Sequence, residues 1–202
     1  MGLRQFLTTR LRRFSGDESG NMSVELLLMS PILAWVMLST ATYFDAFRSE
    51  SVNFKASVTV ADAISREAEI TPAYLNGIYS LLQFLTRNDS TPDLRITALT
   101  YDAASDKYIG IWSKAKGGFV PYANLNSDID LLRARLPIMA NGARMLLIET
   151  ASDFQPMWQS NLFGYSSGLS ASRFSTFTVI NPRFTPRTCW NDTPSNPSAA
   201  VC

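Results

Sequence analysis

The sequence contains no histidine, and this absence narrows the chemistry open to the chain. Histidine is the side chain that most often serves as a general base, and it is the commonest metal ligand. The glycines form no phosphate-binding motif, and no serine stands in a recognisable catalytic pattern. We therefore expect a protein that is not an enzyme and that needs neither a cofactor nor a metal.

Cysteine is almost absent as well. The 202 residues hold two, Cys189 and Cys202, at the far end of the sequence. Their spacing does not match a metal site. In an exported region they favour a disulfide, because disulfides persist outside the cytoplasm. We expect this bridge to close residues 189–202 into a tail, with two free thiols as the alternative.

The chain also lacks an excess of either charge. Its 18 basic and 17 acidic residues give a formal net charge of +1, and no basic stripe is present. This balance argues against nucleic acid as a partner. Four scattered acids are conceivable calcium ligands, but they lack the order of an EF-hand loop, so turn and cap roles are expected for them: Asp102, Asp106, Asp128 and Asp130.

What the sequence does contain is a long apolar run, from Leu26 to Phe44. A bilayer core needs about 20 helical residues at about 1.5 Å rise each, and residues 24–44 supply that length. Pro31 is expected to loosen the helix locally, which membrane helices tolerate. Glu25 is the only formal charge in the segment, and a carboxylate at a membrane boundary is costly. The pattern indicates a single membrane span with an acid at its start.

Arginines before this run set its orientation. The positive-inside rule keeps such a basic segment in the cytoplasm and exports the chain that follows the span. The alternative is a cleaved secretory signal, with residues 39–41 as the cleavage site. The basic residues concerned are Arg4, Arg10, Arg12 and Arg13.

The start of the run resembles a known family. Glu25 follows Gly20 at the spacing of the type IV prepilin signature. Residues 20–25, together with Pro31 and the exit at residues 45–48, are more closely similar to TadE/TadG-like minor pseudopilins. These belong to the tight-adherence (Flp, type IVb) pilus system. Residues 148–156 and 178–183 are more weakly similar to strand segments of the same family.

The resemblance implies a set of roles. A prepilin peptidase would cut between Gly20 and Asn21, although Asn21 stands where classical pilins prefer Phe or Met. Glu25 would then guide subunit register by pairing with a neighbour's α-ammonium. The implied partners are other pilin or pseudopilin subunits, the pilus assembly machinery, the peptidase and membrane lipid.

The implied location is the bacterial inner membrane, crossed once, with the N-terminus cytoplasmic and the C-terminal domain periplasmic or extracellular. The expected divisions are a leader (1–20), an anchor and extended helix (21–70), an exported domain (71–188) and the tail (189–202). The alternative function is a membrane-anchored or secreted periplasmic binding domain without enzymatic activity.

Periodicity predicts an α+β fold in which a long N-terminal helix is followed by a pilin-like domain with an antiparallel sheet. Helical spacing continues past the span to about Glu69, and Thr71 and Pro72 cap and open a second helix that ends near Thr86. A short helix is expected over residues 127–136, with Ser127 as its cap. Trp112 and Trp158 are expected in or beside the core.

Alternating β-rich segments predict the sheet. Residues 102–106 read as a hairpin loop and residues 114–118 as a flexible turn. The helices come first and the strands follow, which favours an antiparallel meander. The predicted strands are 94–101, 107–113, 144–151 and 173–180.

Overall fold

The computed structural model describes residues 21–86, 91–156, 161–162, 165–166 and 171–202. The chain divides into two compact units, residues 1–43 and 44–202. The fold is α+β, as predicted: a 45-residue helix precedes a four-stranded antiparallel sheet. The predicted leader and Gly20 lie outside the described residues, as does Trp158.

The first helix, α1, runs over Asn21–Ser65 and stops before the predicted Glu69. Glu69–Ile70 instead forms a short strand, β1, which pairs in parallel with Cys189–Trp190. The backbone N–H of Arg183 donates to the carbonyl of Ser65 at 2.8 Å. A carbonyl at the end of the helix is thus satisfied by a distant segment rather than by another helical turn.

The second helix, α2, spans Pro72–Thr86, as predicted. The hydroxyl of Thr71 accepts a hydrogen bond from the backbone N–H of Tyr74 at 3.2 Å, which confirms Thr71 as the cap. One face of α2 is buried and fixes the helix against the core. The buried apolar residues on that face are Leu75, Ile78 and Leu82.

Four long strands form the sheet: β2 (Asp93–Asp102), β3 (Lys107–Lys116), β4 (Arg144–Phe154) and β7 (Ser172–Ile180). Their order across the sheet is β3-β2-β4-β7. The predicted meander is wrong, because β4 pairs with β2 rather than with β3. The lysines of β3 suit a sheet edge, whereas β2 is buried and needs a strand on each side. Three shorter strands lie outside this sheet: β5 (Asn161–Leu162) pairs with β6 (Tyr165–Ser166), and β8 (Cys189–Trp190) pairs with β1.

The predicted turn at residues 114–118 is also partly wrong. β3 continues to Lys116, and the chain turns at Gly117, whose φ of 78° lies in the left-handed region that favours glycine. The predicted hairpin loop between β2 and β3 is confirmed. β2 and β3 pair in antiparallel register from Leu94 opposite Lys116 to Asp102 opposite Lys107.

Each face of the sheet has its own cover. Residues from the last turns of α1 and from α2 pack on one face, around Ile96 and Ile148. The other face carries a smaller core that includes Leu99, Leu147 and Ile129. Ile129 lies in a short helix, α3 (Leu125–Asp130), which a 3-10 turn follows at Arg133–Arg135.

The predicted helix over residues 127–136 is therefore broken in two, and Ser127 is not its cap. Asn124 precedes α3, and its backbone N–H donates to the carboxylate of Asp128 at 3.1 Å. The hydroxyl of Ser127 donates back to the carbonyl of Asn124 at 3.2 Å. Asp128 thus has the cap role that the sequence predicted for it.

The predicted disulfide is present, with Cys189 and Cys202 joined at an S–S distance of 2.07 Å. The tail contains β8 and a 3-10 turn at Pro197–Ala199. Trp190 lies in the core with its ring centroid 6.0 Å from that of Trp112. The core position predicted for Trp112 is confirmed, since its side chain is buried.

Candidate functional site

The first part of α1 exposes apolar side chains that a helix in water would bury. Leu27 is 73% exposed and Met37 is 74% exposed. Among the described helices, α1 is long and apolar enough to cross a membrane. It is therefore a candidate single span, because lipid tails can cover side chains that the protein leaves bare. Other exposed side chains of this segment are Met22, Val24, Leu26, Leu28, Met29, Ile32, Leu33, Val36 and Leu38.

Glu25 is exposed among these apolar residues. No hydrogen bond or ion pair joins its carboxylate to any residue that the structure describes. It lies beyond the first turn of α1, and that turn holds no acid. The helix dipole acts mainly within the first turn, so a helix-start role explains Glu25 poorly. Asn21, which the resemblance to prepilins pairs with Gly20 as a processing site, is the first described residue of the helix.

Polar side chains inside this segment are partly satisfied by their own helix. The hydroxyls of Thr40 and Thr42 donate to the carbonyls of Val36 and Leu38, each at 2.8 Å. This local bonding removes much of the cost of placing a hydroxyl in lipid. Ser39 differs, because its buried hydroxyl has no partner among the described residues. Helix α1 continues through the predicted loosening point at Pro31.

Beyond residue 44, α1 has two unlike faces. One face packs into the core with side chains such as Ala56, Val60 and Ile64. The other leaves large apolar groups exposed, with Phe47 at 64% and Phe54 at 57%. Phe44 and Val58 extend this exposed stripe. The sequence pattern found the helix but did not separate these two faces, because both carry apolar residues.

A polar cluster lies on the sheet face that α3 covers. The Nε of Arg95 donates to Glu149 Oε2 at 2.7 Å, and its Nη2 donates to the hydroxyl of Tyr122 at 2.7 Å. That hydroxyl donates in turn to Glu149 Oε2 at 2.9 Å. A third donation, from Arg95 Nη1 to the carbonyl of Val120 at 3.2 Å, ties the chain after β3 to the sheet.

The two charged residues of this cluster, Arg95 and Glu149, form an ion pair. Burial opposes the charged form of Arg95, but the hydrogen bond and charge of Glu149 outweigh it and raise the pKa of Arg95. Burial, with the charge of Glu149, also raises the pKa of Tyr122. A tyrosine whose pKa is raised stays protonated at neutral pH, so Tyr122 does not act as a base there. The cluster therefore serves to hold the chain in place.

Sequence reasoning missed this cluster. Arg95 and Glu149 lie 54 positions apart and become neighbours through the register of β2 and β4, which places them opposite each other. Opposite charges on two strands can indicate an ion pair, but this signal identifies the partners only when the strand order is known.

Asp102 and Asp106, two of the conceivable calcium ligands, bind neighbouring groups at the loop between β2 and β3. Asp102 accepts from the hydroxyl of Ser105 at 2.6 Å, and Asp106 accepts from the hydroxyl of Tyr101 at 2.6 Å. Asp106 also forms an ion pair with Arg133. Within the described ranges no group of three or more acidic or cysteine side chains is placed to hold a metal ion.

An open groove lies beside β7, with a volume of about 270 Å³. Glu50, Asn53 and Phe54 of α1 line one side, and Phe174 and Thr176 of β7 line the other. A small-molecule site is usually concave and covers most of its ligand. This groove is open to solvent and offers no converging set of charges, so it gives the binding-domain alternative little support.

The chain matches no protein-family model, no curated protein and no solved structure. The likeness to TadE/TadG-like pseudopilins therefore depends on residues 20–48 and on the weaker similarity of two later segments.

Proposed function

We propose that this chain is a TadE-like minor pseudopilin, an assembly or structural component of a Flp-type tight-adherence pilus. The observation that carries the proposal is the two-part character of α1. Its first part is apolar and exposed with one acid, and its last turns pack against an antiparallel sheet. A subunit that leaves the membrane to join a fibre needs both parts. The apolar part exchanges its contacts with lipid for contacts with other subunits, and the last turns hold the folded domain.

In this proposal α1 holds the protein in the bacterial inner membrane, with the N-terminus cytoplasmic. The arginines before the span favour that orientation. An alkaline phosphatase reporter fused after Cys202 is then expected to be active, because this enzyme is active only outside the cytoplasm. An ordinary green fluorescent protein fused at the same point is expected not to fluoresce, because it does not fold after export through the membrane. The opposite pair of signals contradicts the orientation.

Glu25 supplies specificity in this proposal. An unpaired carboxylate in a membrane costs several kcal/mol. The α-ammonium that cleavage would create at Asn21 of a neighbouring subunit would remove that cost at one axial register. Other registers would leave Glu25 unpaired, so the penalty would select the correct stacking. Its exposure in the isolated chain agrees with a partner that comes from another subunit.

The mature N-terminus distinguishes this function from its alternative. The chain is co-expressed with the prepilin peptidase of its own host, purified from membranes and sequenced from its N-terminus. A start at Asn21 supports the pseudopilin, and Gly20→Ala is the matched variant that is expected to keep the leader. A start at Thr42 instead supports a secreted binding domain. An intact Met1 contradicts the processing step and leaves an unprocessed membrane protein.

A further inference from the structure

The tail is attached mainly to the connection between α1 and α2, which we call the junction (residues 66–71). The backbone N–H of Cys189 donates to the carbonyl of Ala68 at 2.9 Å, and that of Asn191 donates to the carbonyl of Ile70 at 3.0 Å. The hydroxyl of Thr188, just before the tail, donates to the carbonyl of Glu67 at 3.0 Å. These bonds satisfy three carbonyls that follow the end of α1.

The start of the tail also belongs to the core. Trp190 is 4% exposed and Asn191 is fully buried. The side-chain amide of Asn191 donates to Glu69 Oε1 at 3.0 Å, which adds a side-chain bond to the paired backbones. The junction is therefore ordered by residues that lie about 120 positions later in the sequence, and its order depends on how firmly those residues are held.

The end of the tail has few means of attachment. Residues 192–199 are exposed, so they bury little apolar surface. Val201 exchanges two backbone hydrogen bonds with Trp190, at 2.8 and 2.7 Å, and Arg144 Nη1 donates to the carbonyl of Cys202 at 2.7 Å. The disulfide between Cys189 and Cys202 closes this segment onto β8. Both cysteines are half-buried, which leaves the bridge within reach of a thiol reagent.

We infer that the disulfide is a redox switch for the junction: the oxidised tail clamps residues 66–71, and reduction releases them. Reduction of the S–S bond by a dithiol gives two thiols and the oxidised dithiol. In the reverse direction, a cysteine thiolate attacks a donor disulfide, and the second thiolate displaces the donor thiol from the mixed disulfide. The switch is independent of the pilus role, because every contact that it uses lies within residues 44–202.

As a consequence, the connection between α1 and α2 is held in one conformation only in oxidising surroundings. A chain still in the reducing cytoplasm has both thiols free, and its junction lacks the clamp. The sheet keeps most of its core contacts in either state, because Leu146 and Ile148 pack in a cluster whose other members come mainly from α1, α2 and the sheet, and Trp190 is the tail residue in that cluster. The effect of reduction is therefore local.

Hydrogen exchange followed by mass spectrometry tests this inference on the full chain in detergent micelles, with and without dithiothreitol. On reduction, peptides that cover residues 66–71 and 189–202 are expected to exchange at least about tenfold faster, because local opening sets their rate. Peptides from β2 and β4 are expected to keep their rates. Reoxidation with glutathione disulfide is expected to restore the original pattern.

The matched variant combines Cys189→Ser with Cys202→Ser. Its hydrogen exchange is expected to match that of the reduced chain and to be the same with and without dithiothreitol. Unchanged exchange of the tail and junction on reduction overturns the inference. Faster exchange throughout β2 and β4 also overturns it, since that result means that the bridge supports the whole domain rather than the junction.

Discussion

At the scale of single residues, the Arg95–Glu149 pair shows how a charged pair can position a loop. Its side chains are only 16% and 13% exposed, so solvent screens the pair weakly. Glu149→Gln leaves the Arg95 guanidinium without a counter-charge, and we expect it to lower the free energy of unfolding by about 2 kcal/mol. Urea unfolding followed by tryptophan fluorescence measures the change.

The matched control is Asp192→Asn. Asp192 pairs with Lys114 at 3.5 Å, but its side chain is 67% exposed, so solvent and salt weaken the pair. We expect a change below about 0.5 kcal/mol for this variant. A similar loss of unfolding free energy in both variants contradicts the assigned role of Glu149, because it means that burial does not change how much an ion pair stabilises the fold.

Tyr101 offers a test through pH. The hydrogen bond to Asp106 raises the pKa of Tyr101 above its ordinary value of 10.0. The raised pKa means that neutral Tyr101 stabilises the fold below pH 10.0, and that this contribution is lost as the pH rises through the folded value. In Asp106→Asn, ultraviolet titration should therefore show one of the seven tyrosines, Tyr101, ionising at a lower pH than it does in the wild type. Tyr101→Phe serves as the control, since it should lack that tyrosine.

At the scale of elements, α3 docks on β3 at a position that tolerates no side chain. A Cβ on Gly110 would lie 2.6 Å from Ile129 Cδ1 and 2.7 Å from Leu125 Cβ. Gly110→Ala is therefore expected to cost about 1–3 kcal/mol, because one neighbour is close to the α3 backbone and cannot easily move. Gly77→Ala in α2 is the control, since a Cβ there meets nothing within 4 Å.

The control is expected to change stability in the opposite direction. Alanine in a helix interior is favoured over glycine by about 1 kcal/mol, so Gly77→Ala should stabilise the domain. Thermal or urea unfolding of both variants measures the pair. A Gly110→Ala protein as stable as the wild type contradicts the docking of α3 against β3.

The start of α2 could be predicted from the sequence, whereas the end of α1 and the order of the strands could not. Thr71 and Pro72 carry local signals for the start of α2, and these need no knowledge of the rest of the chain. The end of α1 is different, since Arg183 and Cys189 reach Ser65 and Ala68 from far along the sequence. The strand order is also non-local, and so the pairing of β4 with β2 was not foreseen.

At the scale of the whole molecule, residues 44–202 form an α+β domain, and the part of α1 before residue 44 is apolar and exposed. The sequence predicted that part of the site, because an apolar run with one acid is visible without any structure. The polar cluster around Arg95 and the clamp at the junction were not visible, since each joins residues that only the tertiary fold brings together. Gly20, the proposed processing residue, lies outside the described part of the chain.

The most direct test of the proposed function is a count of surface pili by electron microscopy in a strain that lacks the native copy. The wild-type chain is expected to restore piliation. Glu25→Ala is expected to stay in the membrane, because residues 26–44 remain long and apolar enough to span it, but to leave the cells with few pili. Glu50→Ala, which removes an acid six residues past that segment, is expected to restore piliation. Normal piliation with Glu25→Ala contradicts the charge-pairing role, and normal piliation without any copy of the chain contradicts the function itself.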